Sequence, residues 1–78
     1  DVNSPGYYSA YNIACCYALN AEVEKGDLRD RYIESAYSWL EIAKGMNKEK
    51  ILPLLVTDAD LALLRKTSPV RFNSLINQ

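Results

Sequence analysis

The feature that most constrains this chain is that two successive segments each carry two apolar stripes at helical spacing. In the first, Ala10, Ile13, Ala14, Tyr17 and Ala21 recur every three or four residues and make one face. Tyr8, Tyr11, Cys15 and Leu19 make a second face, rotated from the first. In the next segment Ile33, Ala36, Tyr37, Leu40 and Ala43 form one stripe, and Tyr32, Trp39, Ile42 and Met46 form another. A helix at a simple core boundary needs one apolar stripe, and a second calls for a second neighbour. Antiparallel helix pairs stacked into a superhelix supply neighbours on both sides. A small core that wraps its few long helices is the other solution.

The chain has 78 residues, enough for one thin domain. At that size only roughly 60% of the unfolded surface is buried, so a core of this kind is marginal without outside cover. The sequence begins at Asp1 rather than Met, as expected of a processed product or a piece of a longer protein. A composition of 49% hydrophobic and 24% charged residues is that of a folded chain. The longest apolar run, Ile51 to Val56, contains Pro53 and falls far short of the ~20 residues of a membrane span, so no membrane role is expected. A net charge of −1 argues against a dedicated nucleic-acid binder. The three bases after residue 60, Arg65, Lys66 and Arg71, stand without an acid; they are read as cations near helix C-termini, with a basic patch as the alternative.

Cys15 and Cys16 are adjacent, and neighbouring helical positions diverge too far for an internal bridge. Two thiols in a chain without histidine do not make a zinc site, so no metal or other cofactor is expected. They read as small apolar side chains in a reducing, intracellular compartment.

The boundaries follow from capping and turn residues. Ser4-Pro5 marks the start of the first helix, with Ser4 as N-cap. The polar stretch 22–30 with Gly26-Asp27 reads as a loop, and the second helix is expected from about Leu28 to Lys44, ending at Gly45. Asn47 caps a third helix, expected to be kinked or broken at Pro53. Asp58 caps a fourth that ends near Lys66, and Ser68-Pro69 opens a last one offering Val70, Phe72, Leu75 and Ile76 to the core. No segment alternates as a strand does. The expected fold is all-α: a helical hairpin over residues 1–46, then two or three short capping helices over 47–78.

The run Ala10-Tyr11-Asn12-Ile13-Ala14-Cys15-Cys16-Tyr17-Ala18-Leu19 resembles the first helix of a tetratricopeptide repeat, and Ala36, Leu40 and Ala43 resemble the small–large–small series of its second. Thr57-Asp58-Ala59-Asp60-Leu61-Ala62-Leu63-Leu64-Arg65, with Pro69, Phe72 and Leu75, is similar to the ending that follows the last repeat in many such proteins. The matches cover about two thirds of the chain. The middle departs from the pattern: Tyr17 and Ala36 lie nineteen residues apart, where the repeat places them about nine apart. Some ten extra residues are therefore expected as an enlarged loop over about 20–31. The resemblance implies a C-terminal repeat with its capping helices, because one repeat buries its faces only on neighbours.

Chemistry is poorly provided for. Without histidine no nucleophile–base–orienter set can be assembled, and no glycine loop resembles a phosphate cradle, so no catalytic residue is assigned. Asp58 and Asp60 are read as helix-capping acids. The resemblance implies a protein-interaction scaffold whose groove is lined by the first helix, placing Tyr8, Tyr11, Asn12, Cys15 and Leu19 as candidate partner-binding residues. Asn12 can bond a peptide backbone through one donor and one acceptor, or bond the neighbouring helix instead. The partner is a protein or peptide. The second reading is a structural cap or homodimerisation domain, self-associating through its apolar helix faces.

Overall fold

The computed structural model describes residues 6–78, and the Ser4 cap and Pro5 lie outside the described residues. Those residues form an all-α fold: α1 (Gly6–Val23), α2 (Gly26–Met46), α3 (Lys48–Thr57), a single 3₁₀ turn (Ala59–Leu61), α4 (Ala62–Thr67) and α5 (Pro69–Asn77).

Between Gly6 and Ala21 no residue is charged, so α1 is held by packing and not by surface ion pairs. It packs lengthwise on α2, and small residues line the seam. Ala10, Ala14 and Ala18 from α1 share one buried cluster with Ala36 and Ala43 from α2, and Ala21 is buried nearer the turn. Leu40, fully buried, fills the space between them. Direction is set by the ends: Met46 lies against Gly6, where a Cβ would come within 2.5 Å of its Cε, and Tyr17 stacks on Tyr32 at 5.9 Å between ring centroids. The pair is antiparallel.

The enlarged loop expected over 20–31 is not there. Only Glu24 and Lys25 separate the helices, so the extra residues lengthen both helices instead. Gly26, at φ +63°, makes the reversal in the left-handed region that glycine favours. Neither Asp27 nor Asp30 caps α2; its N-cap is Lys25, with no side-chain bond. Long helices win here because each added turn satisfies its backbone internally.

α3 starts where expected, with the Asn47 side chain accepting from the Lys50 amide, but it runs unbroken through Pro53. A proline there removes only the bond to the carbonyl of Glu49, an exposed residue that water reaches. Asp58 caps the 3₁₀ turn as expected, accepting from the Asp60 amide at 2.9 Å. Ser68 precedes Pro69 as expected, yet its side chain does not cap α5. It donates to the Leu64 carbonyl and pairs with the Tyr37 hydroxyl at 2.7 Å. Of the four apolar residues expected in the core from α5, Phe72 and Leu75 are buried and Ile76 partly so. Val70, 80% exposed, is not.

The 3₁₀ turn and α4 close over α1, while α3 packs on α2 and α5 packs on α3 and α4. One side of the hairpin is thereby covered. Ile51, Leu55, Leu61, Leu64 and Phe72 carry the core from the hairpin into the cap. Arg65 ties α4 back to α3 by donating from Nε and Nη2 to the Leu55 carbonyl, and its guanidinium lies 5.3 Å from the Phe72 ring centroid. Arg65 and Lys66 do occupy the last turn of α4.

Candidate functional site

The five residues expected to form one binding face on α1 are divided by the fold. Tyr11 and Cys15 are buried beneath the 3₁₀ turn, whereas Tyr8, Asn12 and Leu19 remain exposed along its edge. The Tyr11 hydroxyl donates to Asp58 Oδ2 at 2.6 Å, while Oδ1 of the same carboxylate receives the Asp60 amide. Donor atoms of Cys15, Asp58 and Asp60 lie within 4.8 Å of one another. The residue types could ligate a cation, but both oxygens of Asp58 already accept hydrogen bonds. Burial holds the Cys15 thiol protonated, raising its pKa to about 11, and burial with the Asp58 bond pushes the Tyr11 hydroxyl far above its ordinary value. This is a polar knot that fastens the cap to the hairpin. Tyr11 and Cys15 have no free surface to offer a partner.

Among the described residues, nothing covers the other side of the hairpin. Ile13 and Tyr17 from α1 and Tyr32, Trp39, Ile42 and Met46 from α2 line it, with Ile42 48% and Met46 56% exposed. Spacing explains the grouping, since positions 32, 39, 42 and 46 share one side of a 3.6-residue helix, rotated from the stripe at 36, 40 and 43. Along α2 the first and last lie fourteen residues apart, about 21 Å at 1.5 Å per residue. A contiguous row of large apolar side chains at the surface makes this side a candidate interaction site.

A third feature lies on the opposite side of α2. α5 runs alongside in the same sense, bridged by long side chains: Arg71 pairs with Glu34, Lys44 Nζ donates to the Leu75 carbonyl, and Lys48 Nζ donates to that of Gln78 at 3.3 Å. The bridges leave an open groove of about 520 Å³ lined by Glu41, Lys44, Gly45, Lys48, Arg71 and Gln78, among others. Arg71 stacks on the Tyr37 ring at 4.0 Å from its centroid and grips Glu34 with both terminal nitrogens. That bond holds the Glu34 carboxyl below its ordinary pKa.

Comparison with protein-family models, with curated proteins and with solved structures finds no match.

The expected face on α1 loses Tyr11 and Cys15 to burial, and the second apolar stripe of α2 is exposed at Ile42 and Met46. Trp39, Ile42 and Met46 are legible in the sequence as that stripe. What the sequence does not carry is which stripe the capping helices choose. The groove was missed because its walls come from elements some thirty residues apart, Lys44 and Leu75 among them. No helix among the described residues is long and apolar enough to cross a membrane.

Proposed function

We propose that this chain is a non-catalytic protein-interaction module of tetratricopeptide-repeat type, the terminal unit of a helical scaffold. Its docking surface is the uncovered side of the hairpin. The observation that carries the reading is the contrast on α2: Leu40 and Ala43 are sealed, while Ile42 and Met46, close by in sequence but rotated onto another side of the helix, face solvent. An apolar row along the groove of two antiparallel helices fits the apolar face of a third helix, laid lengthwise as ridges into grooves. A helical occupant also accounts for the aromatic content of the row, because Tyr and Trp offer large contact area with a polar tip that tolerates the rim. The resemblance of Ala10–Leu19 and of Ala36, Leu40 and Ala43 to a repeat's two helices supports the same occupant, since stacked repeats bury such faces on each other.

The test is an array of amphipathic helical peptides probed with the chain and with an Ile42→Asp variant. The expected result is a subset of peptides that binds the chain and not the variant, whose circular dichroism is unchanged. Binding undiminished in the variant would remove the assignment. Sedimentation equilibrium separates the homodimer reading: a concentration-dependent dimer that Ile42→Asp dissolves would make a second copy the occupant.

A further inference from the structure

The exposed stripe of α2 keeps a stricter period than an apolar patch requires. Leu28, Tyr32, Ser35, Trp39, Ile42 and Met46 follow one another at spacings of four, three, four, three and four residues. Alternation of four and three is a heptad repeat, and on an α-helix it drifts only about 20° per heptad. The six positions therefore stay on one side from end to end. The first and last are eighteen residues apart, about 27 Å at 1.5 Å per residue. Ser35 is the small member, half-buried one turn from both Tyr32 and Trp39, and so makes a hole for a large apolar knob.

The buried stripe of the same helix shows what this spacing takes. Ile33, Ala36, Leu40 and Ala43 repeat at three, four and three residues, and α1 packs along them. Contact between the two helices is kept from the Tyr17–Tyr32 pair at one end to Met46 against Gly6 at the other. Charge is segregated between the sides of α2 as well. From Tyr32 to Met46 its charged residues are Glu34, Glu41 and Lys44, and all three face α5. Glu34 holds Arg71, Lys44 reaches the Leu75 carbonyl, and Glu41 lines the groove between them. None lies in the exposed stripe. On the same side of the hairpin Ile13, Cys16 and Asn20 share one side of α1, and they are uncharged too.

We infer, on the strength of the docking side proposed above, that its occupant is a long helix of a partner protein carrying an uncharged heptad stripe of its own. It runs along α2 from Leu28 to Met46 at a shallow crossing of about 20°, the angle at which two such stripes stay in contact along their length. A crossing of about 50°, of the opposite hand, would touch the stripe only near its middle and leave Leu28 and Met46 in water. A carboxylate or ammonium on the partner's stripe would lose its water and meet no opposite charge, so helices charged at those positions are refused.

The experiment is an amide ¹H–¹⁵N titration of the full chain with capped peptides three heptads long. One carries leucine at the heptad positions, a second of identical composition carries leucine at every fourth residue, and a third is the first with a central leucine replaced by glutamate. Saturable shifts are expected from Leu28 through Met46 with the first, and an affinity about tenfold lower with the other two. Binding should not change as salt shortens the screening length from about 30 Å to about 3 Å. Leu28→Ser and Met46→Ser, with the fold verified by circular dichroism, should each weaken the heptad peptide about tenfold. If neither end variant weakens binding that Ile42→Asp still abolishes, the heptad occupant is overturned and the docking side stands. Binding untouched by Ile42→Asp would remove the docking side itself. Equal affinity for the two peptides of identical composition, or no binding of the heptad peptide, would also overturn the inference. So would a dimer of the chain alone that Ile42→Asp dissolves, by seating a second copy on the stripe.

Discussion

The two sides of the hairpin are built from the same kinds of residue and end in opposite states. On the covered side, apolar burial is accompanied by long-range polar bonds: Tyr11 to Asp58, Tyr37 to Ser68, Arg71 to Glu34. On the uncovered side Ile13, Tyr17, Tyr32, Trp39, Ile42 and Met46 are large and apolar too, but Tyr17 and Trp39 pack edgewise on the core and Tyr17 meets Tyr32 across the seam, without a long-range polar bond to hold a cap. The difference shows what fixes a cap. Apolar stripes make either side sticky, whereas directional bonds such as that of Tyr11 select the side and register on which a short helix settles.

The largest expected break in the comparison is at Phe72, whose ring joins α5 to Tyr37 in an edge-on pair and is almost fully buried. Phe72→Ala should cost about 3–5 kcal/mol in urea unfolding, and in so small a domain should release α5. Asp58→Ala removes the cap of the 3₁₀ turn and strands the Tyr11 hydroxyl, for a loss of about 2–3 kcal/mol. By contrast Ile42→Ser, a substitution of similar chemical severity on the uncovered side, should change stability by no more than about 0.5 kcal/mol. Equal losses at positions 42 and 72 would erase the distinction between the sides.

The covered side also carries a pH signature. Cys15 and Tyr11 have pKa values raised on folding, so the native state holds their protons more tightly than the unfolded chain. Their contribution is complete below the unfolded values. For Cys15 it is lost as pH climbs from its ordinary 9.0 through about 11. Urea midpoints measured from pH 8 to pH 11 should therefore fall, and a Cys15→Ala/Tyr11→Phe variant should flatten the fall. The smallest effect belongs to Glu34, whose pKa is lowered by Arg71. Its contribution is present above the unfolded carboxylate value and disappears as pH drops through the folded one. With side chains 46% and 65% exposed, the pair is worth at most a few tenths of a kcal/mol, and Glu34→Gln should show it only at low salt.

Much of the fold was legible in residue spacing. The stripe at Ala36, Tyr37, Leu40 and Ala43 is the buried face of α2, and Asn47, Asp58 and Pro69 mark helix starts as their chemistry requires. The region around Gly26 misled because polar residues such as Glu22, Arg29 and Asp30 are as compatible with a solvated helix as with a loop, and only the two-residue connection shows which prevails. Val70 misled because α5 is short and turns just one edge inward. The candidate site was half legible. Tyr11 and Cys15 were visible as an apolar face, but their role depends on Asp58, forty-seven positions from Tyr11, and no local pattern announces that bond.

Trp39, the single tryptophan of the chain, sits within the uncovered side and is a native probe of docking there. The direct measurement is the emission of Trp39 as a helical peptide recovered from the array is titrated in. A saturable blue shift is expected, lost in Ile42→Asp and retained in Tyr8→Ala, whose side chain lies on the other edge of α1. An emission maximum that stays fixed while the peptide binds would contradict the account, because the occupant would then lie somewhere other than this side of the hairpin.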